Sequence, residues 1–223
     1  MSKYKNILVA GAALVALSGA AMAGGKGGEP AATVNTALTV QWNVEAVNSL
    51  LTFYGEWVIG DFRAASVAVG NNITWNTEGG AFIDNTQRQL ADVGAEVYGT
   101  VLGAGSVDIS ATAICNNLTG TNEKSSGTAV RNDQRCMTLD PYAVADVTVA
   151  GVGGDALIAA TAVGNNLGLT AETAATWVYN TQINASATNA TVNANLSDVG
   201  GNVDISATAI GNNLSINGRF GGN

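Results

Sequence analysis

Residues 202–213 read NVDISATAIGNN. Val203, Ile205, Ala207 and Ala209 alternate with Asp204, Ser206 and Thr208. Successive side chains of a strand point to opposite faces, so this alternation predicts a half-buried β-strand. Residues 106–117 repeat the phrase as SVDISATAICNN, and residues 160–166 (ATAVGNN) and 67–72 (VAVGNN) give it in shorter form. One copy therefore carries Cys115 where the others carry Gly70, Gly164 and Gly211. Glycine and asparagine tolerate positive φ, so a turn is expected at Gly70-Asn71-Asn72, Asn116-Asn117, Gly164-Asn165-Asn166 and Gly211-Asn212-Asn213. A second short strand should follow, as in Leu214-Ser215-Ile216.

The first asparagines of the four pairs are spaced by 45, 49 and 47 residues. Asn85-Thr86-Gln87 and Asn180-Thr181-Gln182 keep step with this period, and Asn132-Asp133-Gln134 is a rougher match. A period of this size marks stacked supersecondary units, each unable to cover its own apolar face alone. The expected fold is all-β: a β-solenoid or an elongated β-sandwich built from about four such repeats. Alanine at the inner positions implies closely approaching layers, and a unit would then hold two turns of ~23 residues. The competing architecture is a sandwich that polymerises by donor-strand exchange. Only two prolines occur, Pro30 and Pro141, and neither interrupts a repeat core, which suits continuous ladder pairing.

Around this repeat the chain divides into four parts. Lys3 and Lys5, the apolar run Ile7 to Leu17 and the small residues Ala21 and Ala23 follow the three-part logic of a secretory signal peptide over residues 1–23. Residues 24–62 are Gly-rich and then aromatic, and read as an N-terminal cap or a docking or donor segment. The β-repeat domain covers 63–216, and residues 217–223 read as a flexible tail. Loss of the two N-terminal lysines leaves seven basic against 17 acidic residues, a net charge of −10. Nucleic acid is excluded as a partner, because phosphate contacts need a basic face. The charged fraction is only 12%, so the surface must be rich in Asn, Thr, Ser and Gly, which suits stacking against copies of itself.

The chemistry of catalysis is sparse. No histidine occurs, which removes the usual base and the usual transition-metal ligand. No cofactor is expected, and an enzyme is not. In an exported protein Cys115 and Cys136 should form one disulfide; two free thiols are the alternative. The polar stretch Thr119 to Arg135 between them reads as a loop stapled at its base. Residues 200–205 are faintly like the calcium-binding nonapeptide of parallel β-rolls, but Val203 stands where a glycine is needed, and Asp108 and Asp204 remain only weak calcium candidates. Trp42, Trp57, Trp75 and Trp177 could stack on sugar rings, or pack in a core or interface.

The phrases SVDIS at residues 106–110 and NVDISATAIGNN at 202–213 resemble the repeats of curlins, the subunits of bacterial curli fibres, which also run a short strand into a Gly-Asn turn. They are similar in style to the secreted proteins, exported through a curli-type pore, that anchor the bacterial holdfast to the cell. Curlin repeats are about half as long, and they place glutamine where this chain has Ala111 or Ala207. The resemblance implies a secreted structural subunit, extracellular or on the surface of a bacterium, that self-assembles into a filament or matrix used in adhesion. Its partners would be itself and an outer-membrane secretion or anchoring protein. The alternative is a monomeric surface adhesin that binds polysaccharide.

Overall fold

The computed structural model describes residues 17–21, 34–125, 127–137, 140–173 and 176–218. Its elements are thirteen strands: β1 (Leu17–Ala21), β2 (Val34–Asn43), β3 (Val47–Glu56), β4 (Phe62–Glu78), β5 (Gly80–Gln89), β6 (Val93–Ala104), β7 (Val107–Ser125), β8 (Thr128–Cys136), β9 (Tyr142–Val152), β10 (Ala156–Thr173), β11 (Thr176–Asn184), β12 (Asn189–Val199) and β13 (Val203–Gly218). No helix occurs among the described residues. The alternation of small apolar and hydroxyl side chains has the period 2 of a strand on either side of each Asn pair.

From β2 to β10, each strand pairs parallel with the strand three later. Three sheets result. The first holds β3, β6, β9 and β12; the second β4, β7, β10 and β13; the third β2, β5, β8 and β11, with β1 antiparallel on the outer edge of β2. One repeat is therefore one pass through three sheets, not two turns of half that length. Residues 34–56 join the same ladders in register, with Val47 beside Val93 and Gln41 beside Gln87. Of the segment expected as a signal peptide, only β1 lies within the described residues, and of the expected tail only Asn217 and Gly218 do.

The core fills the space between the sheets. Val93, Ala95, Val97 and Val101 from the first sheet meet Ile109, Ala111, Ala113, Ile158, Ala160 and Ala162 from the second. A second apolar cluster, with Ile83, Leu118, Val130 and Leu167, lies between the second and third sheets. Small residues suffice because the layers sit close, as the inner alanines implied. Two large inner rings have glycine as ladder neighbour: Phe53 lies over Gly99 and Trp75 over Gly120, in space that a Cβ would occupy.

The expected turn at the Asn pairs gives way to a different arrangement. All four pairs lie inside the long strands β4, β7, β10 and β13, and none of their glycines or asparagines has positive φ. The strand instead switches face. Cys115 and Asn116 are both fully buried, so the side chains before and after them alternate in opposite phase. The ladder skips Gly70, Cys115, Gly164 and Gly211 and resumes at the first asparagine. Besides Gly60 and Gly79, the left-handed residues sit thirteen or fourteen positions before the first asparagines. Trp57 (φ 56°), Gly103 (71°), Gly151 (66°) and Asp198 (52°) form one column at the corner between first and second sheets.

Candidate functional site

Two structural features stand out as able to act on something else: the amide ladders with the ends at which they stop, and the outer face of the third sheet.

The first asparagine of each pair points inward and forms a chain along the stack. Asn71 Nδ2 donates to Asn116 Oδ1 (2.8 Å), Asn116 Nδ2 to Asn165 Oδ1 (2.7 Å), and Asn165 Nδ2 to Asn212 Oδ1 (2.7 Å). The second asparagines form an outer chain that runs the other way. Asn213 donates to Asn166 (2.7 Å), Asn166 to Asn117 (2.6 Å), and Asn117 to Asn72 (2.6 Å). The sequence singled out these eight residues, but as turns. Opposed polarity lets the dipoles of the two chains offset one another.

Two more ladders run through the third sheet. Thr39, Asn85, Asn132 and Asn180 are linked by bonds of 2.9, 2.6 and 2.7 Å. Gln182 donates to Gln134 (2.8 Å), Gln134 to Gln87 (2.7 Å) and Gln87 to Gln41 (2.9 Å). Each glutamine spends its other N–H on the carbonyl of the outer asparagine across the corner, Gln134 on Asn166 O at 2.9 Å and Gln87 on Asn117 O at 3.0 Å. A buried amide satisfied on both sides holds two sheets at one angle. The recurring Asn-x-Gln triplets carried this signal in the sequence, and the glutamines were not recognised as buried.

The disulfide between Cys115 and Cys136 is present. It does not staple a loop, because residues 119–125 continue β7 and Thr128–Cys136 is β8. It bridges the second and third sheets. In the pass before, the corresponding positions hold Gly70 and Gln89; in the pass after, Gly164 and Asn184. A Cβ on Gly70 would lie 2.5 Å from Gln89 Oε1, and one on Gly164 would lie 2.9 Å from Asn184 Cγ. The amide across the corner and a backbone carbonyl of the next pass, Cys115 O at Gly70 and Gly211 O at Gly164, together leave no room for a Cβ; the middle pass instead sets cysteine opposite cysteine.

Among the described residues the stack has an open end. On β13 the inward residues Val203 and Ile205 are 48% and 46% exposed, whereas their ladder equivalents Val107 and Ile109 on β7 are 2% and 0% exposed. At the other end the aromatic pair Phe53 and Phe62, with ring centroids 4.9 Å apart, packs against the core.

The outer face of the third sheet concentrates cations and rings in an acidic chain. Arg88, Arg131 and Arg135 all lie on it. Arg88 stacks over Trp42 at 5.4 Å, Arg131 reaches Asp84 at 3.7 Å, and Arg135 holds Asp133 by two bonds of 3.0 and 3.2 Å. Asp133 raises the Arg135 pKa, first by hydrogen bonding and then by charge. Phe82, Trp177 and Tyr179 are exposed on the same face. Of the four tryptophans the sequence singled out, only Trp42 and Trp177 share it. Trp57 lies just past β3, and Trp75 packs inward.

The weak calcium candidates are not brought together. Asp108 and Asp204 lie two rungs apart with Leu157 between them, and Asp108 neighbours Arg63. Among the described residues no group of three or more potential metal ligands occurs. On the outside of the first sheet, Tyr142 Oη donates to Glu96 Oε1 at 2.9 Å, its ring lying over Gly94. Burial first, and then this bond, push the Tyr142 phenol up to about 12.

Parallel ladders of amides and a buried disulfide define an all-β protein of stacked parallel sheets. A family model described as "HfaD: Holdfast attachment protein D" matches residues 9–222, and the chain belongs to that family. Membership gives it a role in holdfast attachment, adhesion at the bacterial cell surface. Comparison with curated proteins and with solved structures gives no significant match.

Proposed function

We propose that the passes wind as one continuous β-solenoid and that this solenoid is a secreted subunit which self-assembles into an extracellular, curli-like filament or matrix for attachment. The observation that carries this reading is the uncovered β13 end. A row of inner side chains, buried on β7 and β10, is exposed there beside a strand edge that is unpaired among the described residues. Exposed edges with apolar rows template the addition of further strands. The chain has the means to be one segment of a longer stack, held by ladders that cost no charge repulsion. Export would involve an outer-membrane partner, after removal of residues 1–23.

The test is size-exclusion chromatography with negative-stain microscopy of protein beginning at Gly24. Filaments or high-mass species are expected at micromolar concentration. Discrete monomers under every salt and calcium condition would sink the reading.

A second reading has its own support. The third sheet's outer face offers rings for stacking and Arg–Asp pairs for sugar hydroxyls, a composition suited to polysaccharide. Replacing Trp177 and Tyr179 by alanine should then abolish retention on purified attachment polysaccharide without changing the melting curve. Unchanged retention would remove this reading.

A further inference from the structure

We infer that copies of this chain join head to tail, the β13 end of one seated on the β4 end of the next, with both asparagine ladders running through the joint. This rests on the self-assembly proposed above and specifies its geometry.

The first ground is the edge itself. Val203–Ile210 repeats Val107–Ile114 letter for letter, VDISATAI. On β7 the edge facing away from β4 takes a parallel strand, β10. The same edge on β13 is free among the described residues. An identical edge fits the same kind of partner: a parallel strand with small inner residues and an asparagine pair in register. β4 is such a strand, and its own outer edge is likewise unpaired among the described residues.

The second ground is ladder polarity. Asn165 spends one N–H on Ile183 O (2.8 Å) and the other on Asn212. Asn212 spends one on Gln182 O (3.3 Å), and its ladder N–H is left over. At the opposite end, Asn71 Oδ1 is buried and has no hydrogen-bond partner. A buried amide oxygen without a donor is costly, and the next copy's Asn212 supplies the donor that is missing. The outer ladder runs the other way, so Asn72 has the donor and Asn213 the acceptor. A head-to-tail joint satisfies both at once. Pairing two like ends would run β13 antiparallel to its partner, and neither ladder could continue.

The third ground is the strand count. The twelve parallel strands divide four to each sheet. β1 occupies the outer edge of β2 and belongs to the segment removed on export in the function proposed above; without it, copies stacked in one direction meet flush in all three sheets, with Gln182 beside the next copy's Gln41 and Ala194 below its Phe53.

The joint is testable by cross-linking on its outside. Val67, Thr112, Thr161 and Thr208 form one outward row, so Thr208 of one copy would neighbour Val67 of the next. The two native cysteines are already bonded to each other. The double variant Val67→Cys/Thr208→Cys, mildly oxidised after assembly, should give a ladder of covalent multimers on non-reducing gels, and neither single variant should cross-link. Dimers from T208C or V67C alone would overturn the joint by showing like ends together. Filaments of the double variant that do not cross-link would overturn the joint and leave self-assembly standing; absence of any assembled species would overturn both. In parallel, Ile205→Glu places a charge on the exposed end of an otherwise unchanged fold. It should leave the melting curve in place and reduce assembly at least tenfold. Unchanged assembly would overturn the proposal.

Discussion

Cys115 and Cys136 join the second sheet to the third at a corner that the neighbouring passes fill with glycine opposite an amide: Gly70 with Gln89 before, Gly164 with Asn184 after. The bond closes a separation of 21 residues, and cross-links of that span stabilise by roughly 2–4 kcal/mol. Reduction, or the double variant Cys115→Ala/Cys136→Ala, should lower unfolding stability by about that amount in denaturant melts. Cys115→Gly/Cys136→Gln copies the solution of the preceding pass and should lose less than the alanine pair. Equal losses would show that the glycine–amide pairing is not the physical alternative.

Asn116 sits between Asn71 and Asn165 and is fully buried. Asn116→Ala orphans a donor on one neighbour and an acceptor on the other, at about 1–3 kcal/mol each. Asn72 is exposed and only accepts from Asn117. Asn72→Ala should change stability by no more than ~0.5 kcal/mol. Similar effects from the two variants would refute the inner ladder as a stabilising element.

Gly120 lies under the indole of Trp75, where a Cβ has no room. Gly120→Ala should cost about 1–3 kcal/mol by overpacking. Combined with Trp75→Ala the penalty should largely vanish, a coupling that a double-mutant cycle measures directly. Additive losses would place the strain elsewhere.

Trp57 alone fills the left-handed corner column with a bulky side chain; the other positions hold Gly103, Gly151 and Asp198. Left-handed φ costs an ordinary residue ~1–2 kcal/mol, and asparagine bears it more easily. Trp57 is also 82% exposed, so little packing is lost with it. Trp57→Asn should raise the melting temperature by a few degrees, in line with ~0.5–1 kcal/mol of relief. A lower melting temperature would show that the ring contributes more than the backbone strain removes.

Tyr142 titrates at about 12 in the fold, against about 10 in an unfolded chain. Between those values the unfolded chain has released the proton and the folded one retains it. Stability from this group is therefore complete below pH 10 and falls as pH rises toward 12. Phenolate absorbance should show Tyr142 ionising last, after Tyr54 and Tyr98, which are also raised, by the Glu56 charge and by a hydrogen bond to Glu96 respectively. Glu96→Gln should bring Tyr142 only part of the way back, because burial is the larger cause.

Much of this architecture was legible in the chain. Period-2 alternation in residues 203–209 required strands, and the spacing of the Asn pairs required that Asn71, Asn116, Asn165 and Asn212 share a row. The compartment-based reading of Cys115 and Cys136 gave the disulfide. The glutamines Gln41, Gln87, Gln134 and Gln182 were harder to place. A polar residue in an alternating strand reads as solvent-facing unless its partner is known, and their partners are backbone carbonyls about thirty residues away in another sheet.

The sequence by itself determined which residues lie above one another, because a repeat fixes the row each residue joins and small inner side chains fix the spacing of layers. Only the tertiary structure decided how many strands complete a pass and where the chain bends. A bend depends on local φ, and both Gly-Asn-Asn and the Gly103 column could have supplied it. The face switch at Asn71 and its equivalents was cheaper, because it keeps every ladder bond on either side and places an amide where the next pass can receive it. The corner that unites Cys115 with Cys136 follows from that choice: two residues on different sheets meet only once the bends are in place.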